Sequence, residues 1–66
     1  MKVTRDTAYA VAWQHMRKSV EVRSFKLIRE KFTDSGDYEF VFVDSSGKEY
    51  DYTITKELET KYERKP

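Results

Sequence analysis

Two short polar groups that end in glycine constrain the fold of this chain more than any other feature. They are Thr33-Asp34-Ser35-Gly36 and Asp44-Ser45-Ser46-Gly47, and a strongly β-forming segment, residues 38–43, lies between them. A Thr or Asp in first place and Gly in fourth place are typical of a type I turn followed by a left-handed glycine. The sequence therefore predicts two consecutive β-hairpins, which together form an antiparallel meander.

The same turns predict which residues pair across the strands. A left-handed Gly47 places Asp44 opposite Lys48, which sets three pairs further along the hairpin: Phe42–Tyr50, Phe40–Tyr52 and Tyr38–Ile54. The rule applied at Gly36 sets two more pairs: Phe32–Tyr38 and Ile28–Phe42. Because side chains alternate between the faces of a sheet, this register collects the large apolar residues on one face. They are Ile28, Phe32, Tyr38, Phe40, Phe42, Tyr50, Tyr52 and Ile54.

An amphipathic helix is predicted before the strands. Thr4 is a favourable N-cap residue, and an apolar stripe at helical spacing follows it: Ala8, Tyr9, Ala12, Trp13 and Met16. The sheet offers one apolar face of matching size, so we expect the helix to pack there. Thr55 is interpreted as the cap of a second, short helix in which Leu58 and Tyr62 form the apolar pair.

The predicted fold class is α+β, with all 66 residues in a single domain. It consists of an N-terminal helix over about residues 4–18 packed on a three-stranded antiparallel β-meander. The strands cover about residues 20–32, 38–43 and 48–54, and a short C-terminal helix covers about residues 56–64.

The second face of the predicted sheet is expected to carry a cluster of apolar side chains with two cations beside it. The cluster and its cations are Phe25, Leu27, Val41 and Val43 with Arg29 and Lys31. In small antiparallel sheets, the face away from the helix usually carries polar residues. An exposed apolar patch on that face therefore indicates an interaction site. The residues therefore predict a partner-binding surface or a homodimer interface. An equally weighted alternative is that Leu58 and Tyr62 of the C-terminal helix cover this face.

The residue types needed for catalysis or metal binding are sparse. The chain contains no Cys and a single histidine, His15, which cannot anchor a metal site alone. Glu49 and Asp51 point the same way on one strand, and we interpret them as solvated strand charges. We expect no catalytic residue, no metal site, no cofactor and no enzymatic activity.

Charge and the N-terminal sequence limit the expected partners. Thirteen basic residues and twelve acidic residues leave a formal net charge of +1, which does not favour phosphate binding. Met1 is followed by Lys2-Val3-Thr4-Arg5 without an apolar segment, so we expect a cytoplasmic protein with no membrane partner.

The segment from Tyr38 to Ile54 resembles the hairpin of PepSY domains, in which Tyr-x-Φ-x-Φ leads through a short turn to Gly-x-x-Tyr-x-Φ-x-Φ. Here the two parts are Tyr38-Glu39-Phe40-Val41-Phe42 and Gly47-Lys48-Glu49-Tyr50-Asp51-Tyr52-Thr53-Ile54. A preceding helix with small residues, here Ala8 and Ala12, is similar to that family's opening helix. The resemblance covers roughly residues 4 to 54. It implies a non-enzymatic regulatory module, such as a peptidase inhibitor, and it supplies no catalytic residue.

These patterns predict a small non-enzymatic protein-binding module, regulatory or inhibitory, that acts through a sheet face or an exposed edge strand. A small effector of a phage or mobile element that disables a host enzyme would share them. The alternative is a nucleic-acid accessory protein that uses Arg23, Arg29 and Lys31.

Overall fold

The computed structural model describes residues 3–19 and 24–65; for Ser19 and Lys65 it describes the backbone only. One helix, α1 (Arg5–Ser19), precedes four strands: β1 (Phe25–Phe32), β2 (Tyr38–Asp44), β3 (Glu49–Ile54) and β4 (Thr60–Lys65). The strands form one sheet in the order β1-β2-β3-β4, and every neighbouring pair is antiparallel. Residues 20–23, which the first predicted strand included, lie outside the described ranges.

Helix α1 begins where the sequence predicts an N-cap. The Thr4 hydroxyl oxygen accepts a hydrogen bond from the backbone N–H of Thr7 at 3.2 Å, which satisfies a donor that the first helical turn leaves unpaired. Three residues of the helix, spaced four apart, are fully buried against the sheet: Ala8, Ala12 and Met16. Two of them are alanines, so the helix backbone lies close to the strands.

The core of the protein consists of that helical stripe and the facing side chains of β2 and β3. The sheet supplies Phe40, Phe42, Tyr50, Tyr52 and Ile54, which are all almost completely buried. The predicted pairs of the second hairpin, Phe42–Tyr50, Phe40–Tyr52 and Tyr38–Ile54, are confirmed. Burial of each large side chain contributes roughly 1.5–3 kcal/mol, so this cluster is the main source of stability in a short chain.

The predicted C-terminal helix over residues 56–64 is wrong, and so is the prediction of only three strands. Thr55 caps no helix. It begins a third hairpin turn, in which the Thr55 N–H donates to the Glu59 carbonyl at 3.0 Å and the Leu58 N–H donates to the Thr55 carbonyl at 2.8 Å. The chain then continues as β4 along β3, and Tyr62 lies opposite Tyr52.

All three hairpin turns have the same hydrogen-bonded design. Each begins at a polar residue, and these residues are eleven positions apart: Thr33, Asp44 and Thr55. In every turn a side-chain oxygen of the first residue accepts the backbone N–H of the fifth, at 3.1, 3.0 and 3.0 Å respectively. This bond holds the two strand ends together, and it is the reason that Thr or Asp stands in first place.

The fourth residue of each turn adopts a left-handed backbone. Gly36 has φ 92°, Gly47 has φ 90° and Leu58 has φ 63°. The two glycines confirm the predicted turn type. Leucine is rarely found in this conformation because its Cβ crowds the backbone, and Leu58 is held there by its packing against the hydrophobic core.

A β-bulge in β1 overturns the predicted pairing of Ile28 with Phe42. Phe32 faces Tyr38 as expected, but the register shifts between Leu27 and Arg29, so that Leu27 lies opposite Phe42. Ile28 is the extra residue and is 40% exposed. A bulge adds one residue and reverses the alternation beyond it. Residues of β1 before the bulge therefore lie on the face opposite to the one that was predicted for them.

The carboxylate of Asp44 fixes the turn between β2 and β3. Its Oδ1 accepts the backbone N–H groups of Ser46 and Lys48 and the Ser46 hydroxyl, and its Oδ2 accepts the Tyr50 hydroxyl at 2.7 Å. The bonds from Ser46 and Tyr50 hold the pKa of the Asp44 carboxyl well below its ordinary value, and the same contact raises the pKa of Tyr50.

Replacing Leu58 tests the left-handed turn. Leu58→Ala should lower the free energy of unfolding by about 1–2 kcal/mol, because packing is lost while the backbone strain stays. Leu58→Gly should be more stable than Leu58→Ala by about 1 kcal/mol, because glycine removes the strain. Urea unfolding measures both. The matched control is the pair Thr60→Ala and Thr60→Gly, within a regular strand, where the alanine variant should be the more stable. A higher free energy of unfolding for Leu58→Ala than for Leu58→Gly would contradict the turn geometry.

Because Asp44 accepts these hydrogen bonds as a carboxylate, we expect the free energy of unfolding to depend on pH. A carboxyl whose pKa is lowered by folding stabilises the fold above its unfolded pKa, and that contribution is lost as the pH falls below about 4. Asp44→Asn should therefore be less stable than the parent chain at pH 7, and the difference should shrink in acid. Urea titrations across pH measure it, with Asp34→Asn in the preceding turn as the control. A difference that is independent of pH would rule out this role.

Candidate interaction surface

The width of the sheet exceeds what one helix can cover. Four strands spaced about 4.8 Å apart make a sheet roughly 19 Å wide with its side chains, whereas a helix is about 10 Å wide. The fully buried residues of the sheet accordingly lie on β2 and β3. On the same face, β1 and β4 project beyond the helix on either side and carry side chains that α1 covers incompletely.

The flank beside β1 forms a groove, which we call the β1 groove. Its helical wall consists of residues four apart on one side of α1, and its floor consists of side chains of β1. The wall is Arg5, Tyr9 and Trp13, and the floor is Phe25, Leu27, Glu30 and Phe32. The helix runs antiparallel to β1, because Arg5 contacts Glu30 near the end of the strand and Trp13 lies 6.1 Å from Phe25, ring to ring, at its start.

Large apolar side chains are exposed at both ends of the β1 groove. Phe32 is 60% exposed and rests against Tyr38 with 4.7 Å between ring centroids. Trp13 is 37% exposed and contacts Phe25, which in turn packs edge-on against the buried Phe42 at 5.5 Å. An open depression of about 670 Å³ adjoins Phe32. The exposed rings are therefore continuous with the hydrophobic core.

Two arginines lie over the aromatic rings of the groove. The Arg5 guanidinium binds both carboxylate oxygens of Glu30 and sits 4.8 Å from the centre of the Tyr9 ring. Arg17 covers Trp13 at 5.3 Å. Hydrogen bonding to Glu30 raises the pKa of Arg5. The bidentate pair bridges wall and floor, and Arg5 also lies 3.4 Å from the Asp6 carboxylate, so two carboxylates offset its charge. Arg17 places positive charge beside the apolar channel.

The flank beside β4 also carries an aromatic cluster. Tyr62 lies 5.0 Å from Tyr52 and 5.4 Å from His15 between ring centroids. His15 Nδ1 and the Tyr52 hydroxyl form a hydrogen bond of 2.7 Å. Burial raises the pKa of Tyr52. Tyr62 is as exposed as Trp13, so the β1 flank differs by the greater exposure of Phe32.

The opposite face of the sheet, which we call the open face, carries only part of the predicted apolar cluster. Val41, Val43, Arg29 and Lys31 do lie there, and Arg29 donates to the Glu49 carboxylate at 3.1 Å. Phe25 and Leu27 do not; the bulge places them on the helix side, packed against the core. Leu58 also packs against the core, and Tyr62 lies with Tyr52 on the helix side, so the alternative that they cover the open face is wrong.

The six residues predicted to bind a partner are thus divided between two surfaces. The sequence does contain a signal for this division. Apolar residues of β1 occupy odd positions at Phe25 and Leu27 and even positions at Ile28 and Phe32, and such a change of phase requires a bulge. The β1 groove was missed because the alternation set by the turn at Gly36 was continued past Ile28 to Leu27 and Phe25.

The described residues show no metal-binding cluster: among 3–19 and 24–65, no group of three or more His, Cys, Asp or Glu side chains is suitably placed to hold an ion. Glu49 and Asp51 share the open face as predicted. In the same ranges there is no helix of sufficient length and apolar character to cross a membrane.

Comparison with protein-family models, curated proteins and solved structures gave no match to this chain. The resemblance to PepSY domains therefore stays a prediction.

Proposed function

We propose that this chain is a non-enzymatic protein-binding module that holds an amphipathic helix of another protein in the β1 groove. The observation that carries the proposal is the exposure of Phe32 and Trp13 on a channel whose floor is continuous with the core. Exposed rings joined to a packed core are typical of interface anchors, which bury large area with little loss of side-chain freedom.

The shape of the channel favours a helix as the occupant. The flank leaves roughly 5 Å of sheet uncovered beside α1. Helices that pack side by side lie 8–10 Å apart, so a second helix would rest on β1 and project past its edge. It would form a layer of two helices on one sheet, which is a regular two-layer arrangement. The β1 floor spans about 23 Å at roughly 3.3 Å per residue, which corresponds to a partner helix of about 15 residues.

The edge of β1 disfavours the addition of a partner strand, the other mode that the sequence predicted. The bulge between Leu27 and Arg29 interrupts the regular edge, and Lys26, Arg29 and Lys31 place three cations along it. Bulges and lysines are the features with which natural sheets block edge-to-edge pairing. On the β1 side of the sheet, the proposal therefore places the contact in the groove and not on the strand edge.

Charge around the groove specifies the flanks of the partner helix. Arg17 lies over Trp13 at one end, whereas Arg5 near the other end is already paired with Glu30 and Asp6. A helix with apolar residues at positions i, i+3 or i+4, and i+7, and with acidic residues at the end that faces Arg17, would match the rings and this cation. Occupation of the groove would regulate or inhibit the partner without a chemical step.

Binding of nucleic acid receives less support from the geometry. Arg29 and Lys31 lie on the open face beside the carboxylates of β3, and Arg29 is paired with Glu49. Adjacent carboxylates repel phosphate and offset the attraction of the cations. Arg23, the third cation of that hypothesis, lies outside the described residues.

The single tryptophan of the chain lies in the groove wall, so its fluorescence reports occupation. Titration with an 18-residue helical peptide, which carries a leucine stripe and acidic flanks, should give a saturable change in Trp13 emission. Phe32→Asp should weaken binding at least about tenfold, because it removes an aromatic anchor and introduces a charge. It should change stability little, because Phe32 is mostly exposed.

Val43→Asp on the open face is the matched control and should leave the affinity unchanged. A peptide of the same composition in scrambled order should bind weakly. Equal binding of the scrambled peptide, or equal loss of affinity in Val43→Asp and Phe32→Asp, would contradict the proposal.

A further inference from the structure

The open face is organised into columns of charge that follow the strands. β1 contributes three cations to it: Lys26, Arg29 and Lys31. β3 contributes an acidic column that consists of Glu49, Asp51 and Thr53. Between them, β2 contributes Val43, Val41 and Glu39. A basic column and an acidic column therefore lie at equal distances on either side of two valines.

The strand register aligns these columns row by row. Lys26, Val43 and Glu49 form one row, and Arg29, Val41 and Asp51 form the next. These two rows run from a cation through an apolar side chain to a carboxylate, whereas the third row, Lys31, Glu39 and Thr53, has its carboxylate in the middle. A surface with this order is complementary to itself when it is turned about its middle column.

We propose that two copies of the chain pack open face against open face about a two-fold axis that runs along β2. Rotation about that axis leaves Val41, Val43 and Glu39 each over the same residue of the second copy, so that one like-charge contact, Glu39 with Glu39, forms on the axis. It brings the β1 column of each copy over the β3 column of the other, so that Arg29 faces Asp51 and Lys26 faces Glu49. The result is a four-layer arrangement with the sheets inside and the helices outside.

Other symmetric placements lack this match. An axis between β2 and β3 sets Arg29 over Glu63 but Lys31 over Lys61, and it sets Glu49 and Asp51 over the two valines. An axis along β3 places Glu49 on Glu49. An axis across the strands stacks the β1 columns of the two copies on each other. Of these placements, the axis along β2 brings together the most opposite charges: Arg29 with Asp51 and Lys26 with Glu49, each twice, against the single contact of Glu39 with Glu39.

The predicted association is weak and sensitive to salt. Three strands and three rows cover a face of roughly 300 Å² on each copy, well below the roughly 800 Å² per partner of a stable interface. Arg29 is already paired with Glu49 within its own chain, so dimerisation exchanges one ion pair for another. Because the β1 groove faces outward, this association is independent of the proposed function.

Sedimentation equilibrium tests the association itself. At low ionic strength, the mean mass should rise from that of the 7.9 kDa monomer towards twice that value as the protein concentration reaches the millimolar range. The dimer fraction should fall as the salt concentration rises from about 0.01 M to about 1 M, where the screening length drops from about 30 to about 3 Å. A monomer mass throughout would overturn the proposal.

A charge exchange tests the two-fold arrangement. Arg29→Asp and Asp51→Arg should each abolish dimerisation, because either change sets like charges against each other across the axis. An equimolar mixture of the two variants should dimerise again, and so should the chain that carries both changes. Arg64→Asp, on the helix side of β4, is the control for net charge and should dimerise like the parent.

Circular dichroism establishes that each variant is folded. Two copies of the chain with both changes again bring opposite charges together across the axis. This variant therefore tests the arrangement even where a single variant misfolds. Folded variants whose mixture and double variant stay monomeric would overturn the proposal, and so would equal dissociation in Arg64→Asp.

Discussion

The contact between one narrow helical stripe and two central strands is the interaction on which the rest of this structure depends. Ala8, Ala12 and Met16 bring α1 down onto the buried rings of β2 and β3, and this contact accounts for the fully buried apolar side chains among the described residues. Because the sheet is two strands wider than the contact, side chains of β1 and β4 stay partly exposed on the helix side. On one flank Tyr62 packs against Tyr52 and stays partly exposed. On the other flank Phe32 is 60% exposed, and the proposed function arises from this more exposed ring.

The sequence predicted the parts of the fold that follow from local rules. The helix cap at Thr4, the left-handed glycines and the pairing of β2 with β3 each depend on a few adjacent residues, and each is confirmed. The fourth strand could not be predicted by the same rule, because Leu58 occupies the left-handed position in which glycine is expected. Its packing against the core, a tertiary contact, overrides the local preference. The recurrence of Thr33, Asp44 and Thr55 at eleven-residue intervals was the available signal for a third turn.

The candidate site was less predictable than the fold because it depends on the bulge in β1. One inserted residue moves Phe25 and Leu27 from the open face to the groove, and it leaves Val41 and Val43 as a small apolar centre among charges. The two surfaces that result differ in chemistry and point in opposite directions. The groove offers aromatic rings and arginines, which suit an amphipathic helix. The open face offers alternating columns of charge, which suit a second copy of the same surface.

The central claim is that α1 covers β2 and β3 while the β1 flank stays open to solvent. Proton relaxation in the presence of a soluble paramagnetic probe tests it directly, since the effect on each side chain rises with its accessibility. The account predicts strong enhancement at the Phe32 ring, intermediate enhancement at Trp13, and very weak enhancement at Phe40 and Tyr52. Protection of Phe32 equal to that of Phe40 at concentrations where the chain is monomeric would contradict it.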